Sequence, residues 1–146
     1  MNVWFAASEA APLVKTGGLA DVIGALPKSL AKQGVDVTVV LPKYGEIPEK
    51  YLDGAVTADA FHVSLGWRSQ YCGLVETTVG GVRYLIIDNE FYFKRGRLYG
   101  YGDDAERFVF YCFAFMEALS RTARLPDVVH CHDWQAGLVP FLLRTR

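Results

Sequence analysis

The chain carries little that would mark a specialised environment. Its three cysteines, Cys72, Cys112 and Cys131, are odd in number and far apart. That excludes a disulfide framework and points to reduced thiols in a cytoplasm. No window approaches the about 20 continuous apolar residues of a membrane-spanning helix. The first twelve residues lack a basic stretch and a long apolar core, so no secretory signal is expected. Neither charge sign dominates: 15 basic and 16 acidic residues leave a net charge of -1. Nucleic-acid and membrane-surface partners are therefore not expected. There are no internal repeats and no low-complexity segment. Neither the G-x-G-x-x-G fingerprint nor a P-loop is present, which sets aside an NAD-dependent dehydrogenase and a P-loop nucleotide site.

What is present suffices for one domain with a real core: 146 residues, 51% of them hydrophobic. Aromatic residues reach 14%, which core packing explains and a sugar cleft would also use. Residues 2–7, "NVWFAA", read as a buried parallel strand. The stretch "LADVIGALPKSLAKQG" places Leu19, Val22, Ile23, Leu26 and Leu30 on one helical face. Pro27 is expected to kink or restart this helix, and Gly34 sits where a C-cap glycine belongs. "VDVTVVLP" is the second strand, which completes a right-handed βαβ unit. Residues 60–88, with the Gly80-Gly81 turn, look like antiparallel hairpin material inserted in the sheet or lying at its edge. "NEFYFKRGRLYGYGDD" is expected to be an irregular loop. A strong helix follows, with Asp103 or Asp104 as its cap. "PDVVHCHDW" is a strand with a polar end, and "WQAGLVPFLL" opens another helix. The expected class is α/β: a Rossmann-like, doubly wound, mostly parallel sheet with a β-hairpin insertion. A helix reaching the C-terminus without a cap is expected of a segment cut from a longer protein.

Three groups of residues could carry chemistry. Lys15-Thr16-Gly17-Gly18 follows the first strand, at the carboxyl edge where open α/β sheets bind ligands. Gly17 and Gly18 would let backbone N–H groups approach a ligand, the next helix start carries partial positive charge, and Lys15 adds a full one. The alternative is a solvated tight turn. His130-Cys131-His132-Asp133-Trp134 ends a later strand on the same edge. A metal there would need three or four convergent ligands, and no further partner is evident. Asp133 could cap the following helix, and with a histidine, His132, it could hydrogen-bond sugar hydroxyls. Glu9 and Asp21 flank the glycine loop and could also bind hydroxyls. Asp21 equally suits a first-turn acid favoured by the helix dipole. Tyr99 and Tyr101 could contact a ligand or cover the core.

The run "SEAAPLVKTGGLADVIGALPKSLAKQGVDVTVVLPKY" closely resembles the N-terminus of bacterial glycogen synthases and plant starch synthases. "DVVHCHDWQAGLVP" resembles the second signature of that family, with Cys131 between the two histidines. The K-T-G-G-L-A-D-V string argues against related two-domain families such as sucrose synthase. The resemblance implies the N-terminal half of a glycosyltransferase with two Rossmann-like domains. Residues 1–146 would be a truncated first domain, and the C-terminal nucleotide-binding domain would be absent. It implies retaining transfer of glucose from ADP-glucose to the non-reducing end of an α-1,4-glucan, without cofactor or metal. Lys15 would contact the donor, Gly17 and Gly18 would approach its phosphates, and Asp133 would be the catalytic carboxylate near the transferred glucose. Tyr99 would assist nucleotide-sugar binding, with Glu9, Asp21 and His132 lining the cleft. The 146 residues alone are expected to have little or no transferase activity. A glucan- or anion-binding module without catalysis is the alternative.

Overall fold

The computed structural model describes residues 1–146. Six strands form one sheet: β1 (Asn2–Ala6), β2 (Asp36–Pro42), β3 (Val56–Leu65), β4 (Arg68–Val79), β5 (Val82–Asp88) and β6 (Val128–Cys131). Their order is β3-β4-β5-β2-β1-β6. β5, β2, β1 and β6 run parallel, while β4 pairs antiparallel with both β3 and β5. The expected hairpin is thus a three-stranded meander at one edge. Its last strand, β5, belongs to the parallel set. At Gly80 and Gly81 φ is +58° and +78°, and the tightness of this two-residue turn rests on glycine at both positions.

Burial follows strand position. β1 is buried along its whole length and β2 beyond its first residue, because both faces are covered. β3 alternates toward its end, with Phe61 and Val63 inward and His62 and Ser64 outward. Helix α1 (Gly18–Lys32) packs on β2 and β5, and helix α3 (Asp104–Arg121) on β3, β5 and helix α4 (Val139–Thr145). Right-handed crossovers in opposite directions place α1 and α3 on opposite faces. The chain steps from β1 to β2 on one side and returns to β6 on the other. The β1/β6 boundary is therefore the topological switch point, where such sheets open a crevice at their carboxyl ends.

Several local expectations are corrected. α1 continues through Pro27, whose ring is buried; the missing N–H costs one hydrogen bond, and burial of the ring offsets part of that. Val22 is exposed, so the inward face of α1 is narrower than the periodicity suggests. Gly34, with φ +80°, ends the helix: its N–H bonds Ala31 O at 3.0 Å and Val35 N–H bonds Leu30 O at 3.1 Å. Within the expected irregular loop, Asn89 caps a one-turn helix, α2 (Glu90–Phe93), by accepting from Tyr92 N–H at 2.9 Å. Asp103 stands at the N-cap of α3 but makes no cap bond; Arg95 takes its carboxylate at 2.6 and 2.7 Å. The segment after β6 begins as a short 3-10 turn, Trp134–Ala136, before α4.

Candidate functional site

The segment after β1 turns back on itself through an isolated bridge between Ala10 and Val14 and enters α1 at Gly18. Gly24 lets α1 approach this segment, since a Cβ there would lie 2.8 Å from Ala11 O. Gly17 and Gly18 are different. Neither has positive φ, and a Cβ on either would meet nothing within 4 Å. A tight turn therefore does not explain the glycine pair. The space beside them is open, and no side chain caps the helix behind it. The first N–H groups of α1 are left for an outside acceptor, with the positive end of the helix dipole behind them.

Glu9 holds this loop in place. It is buried, and its carboxylate accepts from Thr16 N–H and Thr16 Oγ1 at 2.6 Å each, Gly17 N–H at 3.3 Å and Tyr99 OH at 2.8 Å. Burial alone would raise its pKa; the bonds from Thr16, Tyr99 and Gly17 outweigh that and leave it lowered. Both oxygens are thus committed within the chain, which makes Glu9 a positioning residue for the loop. Tyr99 also lies 2.8 Å from the buried Ser8 hydroxyl. Burial raises its phenol pKa, so it stays protonated and donates to Glu9. Lys15 Nζ meets both oxygens of Asp21 at 2.8 Å, with the two side chains 53% and 60% exposed. Asp21 is a first-turn acid of α1, as the helix dipole favours.

Tyr99 is itself placed by a residue that the sequence reading passed over. Arg107 is fully buried inside an aromatic run of α3. It donates to Tyr92 O at 2.7 Å, Leu98 O at 2.9 Å and Asp104 at 2.7 Å, which pins the loop carrying Tyr99. The available signal was a lone arginine in "ERFVFYCF", since a buried cation requires partners. Tyr101 packs among Arg95, Arg97 and Arg107 within the same loop.

The second signature lies beside the first because Ala6 of β1 pairs with Cys131 of β6. His132 stacks on Phe5 at 5.3 Å and lies 4.0 Å from His130. Burial, then the His130 charge, lowers its pKa to about 4, so it is neutral at pH 7. Its Nε2 is buried without a hydrogen-bond partner. Asp133 is exposed and adopts φ +62° and ψ -179°, a region that glycine occupies easily and a side chain does not. Its carboxylate accepts from Trp134 N–H at 2.7 Å, and its charge acts on Tyr99. No three His, Cys, Asp or Glu side chains cluster closely enough to hold a metal ion. No helix is long and apolar enough to cross a membrane.

Fold and site together define a class: a doubly wound α/β domain with an uncapped helix start and an exposed carboxylate at the carboxyl ends of its strands. Comparison with known proteins narrows this further. The family model of the starch synthase catalytic domain matches residues 2–146. The glycogen synthase of Halalkalibacterium halodurans is 52% identical over 145 residues, 99% of this chain and 30% of the relative. That of Geobacillus stearothermophilus is 53% identical over 144 residues, with 99% and 30% covered. A solved structure, the catalytic domain of starch synthase IV from Arabidopsis thaliana bound to ADP and acarbose, superimposes with a TM-score of 0.85 at 32% identity. The match covers 94% of this chain and 29% of that one. The chain belongs to the starch synthase catalytic domain family, and it spans about 30% of the length of the curated relatives it matches.

Proposed function

We propose that the chain supplies the first-domain half of a glucosyltransferase that moves glucose from ADP-glucose, with retention, to the non-reducing end of an α-1,4-glucan. The carrying observation is the open space at Gly17 and Gly18 before an uncapped helix start, with Lys15 beside it. In this reading the diphosphate approaches past the glycine pair to the free N–H groups from Gly18 onward, and Lys15 leaves Asp21 to contact it. Charge developing on the departing ADP is then met by a fixed cation and by oriented backbone dipoles. Asp133 faces the transferred glucose across the β1/β6 crevice as the catalytic carboxylate. His132 lines that crevice as a neutral imidazole, and Tyr99 sets the loop from behind.

Lys15 and the start of α1 provide the positive charge that the leaving group needs, so the reading calls for no resident metal or cofactor. Residues 1–146 form one domain of a two-domain enzyme in this account, acting in the cytoplasm, and the second domain carries the base-recognition pocket. The Arabidopsis relative binds ADP and acarbose, which supports both ligand classes.

The test has two arms. ADP-glucose titrated into 15N-labelled chain is expected to shift the amide signals of Gly17, Gly18 and Leu19, and Lys15→Ala to weaken that response. Chain supplemented with the remaining part of a relative is expected to release ADP in the presence of malto-oligosaccharide, while the chain alone gives little or none. Full turnover by the chain alone would refute the two-domain account. Oligosaccharide binding without any response to ADP-glucose would favour a non-catalytic glucan module instead.

A further inference from the structure

Helix α3 ends at Arg121, and the chain leaves it in an extended conformation at Thr122. Between its last turn and the sheet lies a cavity of about 400 Å³, the largest of the molecule. Strand register builds its floor. Trp4 of β1, Thr38 of β2 and Arg83 of β5 pair in one row across three parallel strands, and Asn2 and Asp36 pair in the row at the strand starts. Trp4 closes the back, edge-on to Phe115 at 6.0 Å. Ala58, Ala118 and Ala123 stand around the space and are too small to fill it. Asn2 and Asp36 begin their strands, whereas Lys15 and Asp133 follow the carboxyl ends of theirs. The cavity is therefore no part of the crevice described above.

Three arginines line it: Arg83, Arg121 and Arg124. Arg83 is fixed in place. Its Nε and Nη2 donate to Glu76 at 2.9 and 2.8 Å, and its Nη1 is turned to the buried Thr38 hydroxyl, 3.5 Å away. That last contact is at the limit of a hydrogen bond, so Nη1 keeps donor capacity. Arg121 is oriented by the Phe61 ring, 4.6 Å from its centroid, and meets Asp59 once, at 3.4 Å. Arg124 lies 3.8 Å from Asp36, and both are more than half exposed. A guanidinium that meets a carboxylate by a single long contact has N–H groups left for another acceptor, and such a pair holds little.

We propose that this cavity binds a small polyhydroxylated molecule carrying one oxyanion group, a phosphate monoester or a carboxylate. Arg83 Nη1 and the forks of Arg121 and Arg124 receive the oxyanion, a task to which the planar guanidinium is suited. Asp36, Asp59 and the last carbonyls of α3 accept from the hydroxyls. The charge pattern selects this class. The three arginines are matched by three carboxylates, Asp36, Asp59 and Glu76. A densely charged anion meets repulsion from those acids, and a neutral polyol leaves the arginine donors unused. One oxyanion on a hydroxylated body satisfies both sets. The volume lies in the range of pockets for small ligands.

The test titrates 15N-labelled chain with three six-carbon compounds: sorbitol 6-phosphate, gluconate and sorbitol. At least one of the two anions is expected to shift the amide signals of Arg83, Arg121 and Ala123 to saturation, and sorbitol to shift none of them. A response to one anion alone supports the proposal and says which oxyanion the cavity takes. Arg121→Gln is expected to weaken the response about tenfold. Ala123→Trp, at an exposed position, is expected to abolish it by filling the space. The proposal is overturned if neither anion moves these signals or if sorbitol moves them equally. It is overturned if sodium chloride at matched ionic strength gives the same shifts, because the ion pairs are then merely being screened. It is overturned if either variant, folded by its spectrum, responds as the parent chain does. Movement confined to Gly18 and Leu19 overturns it too and leaves the reading of ADP-glucose binding intact, so the two proposals fail separately.

Discussion

The two segments that meet at the switch point are built in opposite ways. After β1, the Lys-Thr-Gly-Gly loop has no positive φ and hangs on three hydrogen bonds to one buried carboxylate, which Tyr99 holds with a fourth. After β6, Asp133 has a strained backbone, and its carboxylate holds only the adjacent N–H. The first segment is held in shape through Glu9, which takes the Thr16 and Gly17 N–H groups and is itself held by a distant tyrosine, while no side chain caps the helix that follows. The second is held by its flanks, with β6 locked to β1 and Trp134 seated on Phe108. A non-glycine residue persists in such a conformation only where the surroundings over-determine it, and strain of this kind clusters at functional positions.

Substitutions can break this contrast, and Glu9→Gln should have the largest effect. An amide is neutral and keeps only one accepting oxygen, so the charge assistance of the bonds from Thr16, Gly17 and Tyr99 is lost and the two hydroxyls must turn to accept. Stability is expected to fall by about 3 kcal/mol in urea unfolding, with faster amide exchange at Thr16 and Gly17. A second effect depends on pH. The folded pKa of His132 lies at about 4, below the usual value of 6.5. The unfolded chain therefore binds the extra proton between these values. The His132 contribution is complete above pH 6.5 and is lost as pH falls toward 4. With partial exposure discounted, the loss is on the order of 2 kcal/mol. His132→Asn should flatten that part of the stability profile. Glu9 has the opposite chemistry but the same direction: its lowered pKa gives stability that is present above about 4.5 and lost on further acidification.

Asp133→Gly should go the other way and raise stability by about 1 kcal/mol in thermal unfolding, because glycine occupies that φ without penalty. The same variant would remove the carboxylate that the proposed transfer uses, so stability and activity should move in opposite directions. The smallest effect is expected from Lys15→Ala. Its pair with Asp21 is more than half exposed, so the change in stability should stay below about 0.5 kcal/mol, while the response to ADP-glucose weakens. A large stability loss there would make Lys15 a structural residue and remove the proposed role.

Much of this was legible in the sequence because it is local. The β-branched run of β2, the Gly34 helix end and the Gly80-Gly81 turn each follow from the φ/ψ preferences of a few neighbouring residues. Both signatures were visible as motifs at strand ends. The misses share one cause. Pro27 stays within a helix because its ring is buried. Asp103 stands at the expected N-cap, but its carboxylate bonds Arg95 in place of the helix N–H groups. The one-turn helix α2 is held within the aromatic cluster around Phe93 and Phe110. In each case a tertiary contact outweighed a local preference.

By itself the amino-acid order determined the elements, the family and the identity of the two motifs, since hydrophobic period, glycine placement and residue type are properties of short stretches. Only the folded chain decided what Glu9 bonds and that Gly17 and Gly18 border open space. The Tyr99 hydroxyl that bonds Glu9 comes from 90 residues away. The emptiness beside the glycines is a property of the space around them. Contacts of that range depend on how the sheet closes β6 onto β1, and no local preference encodes that closure.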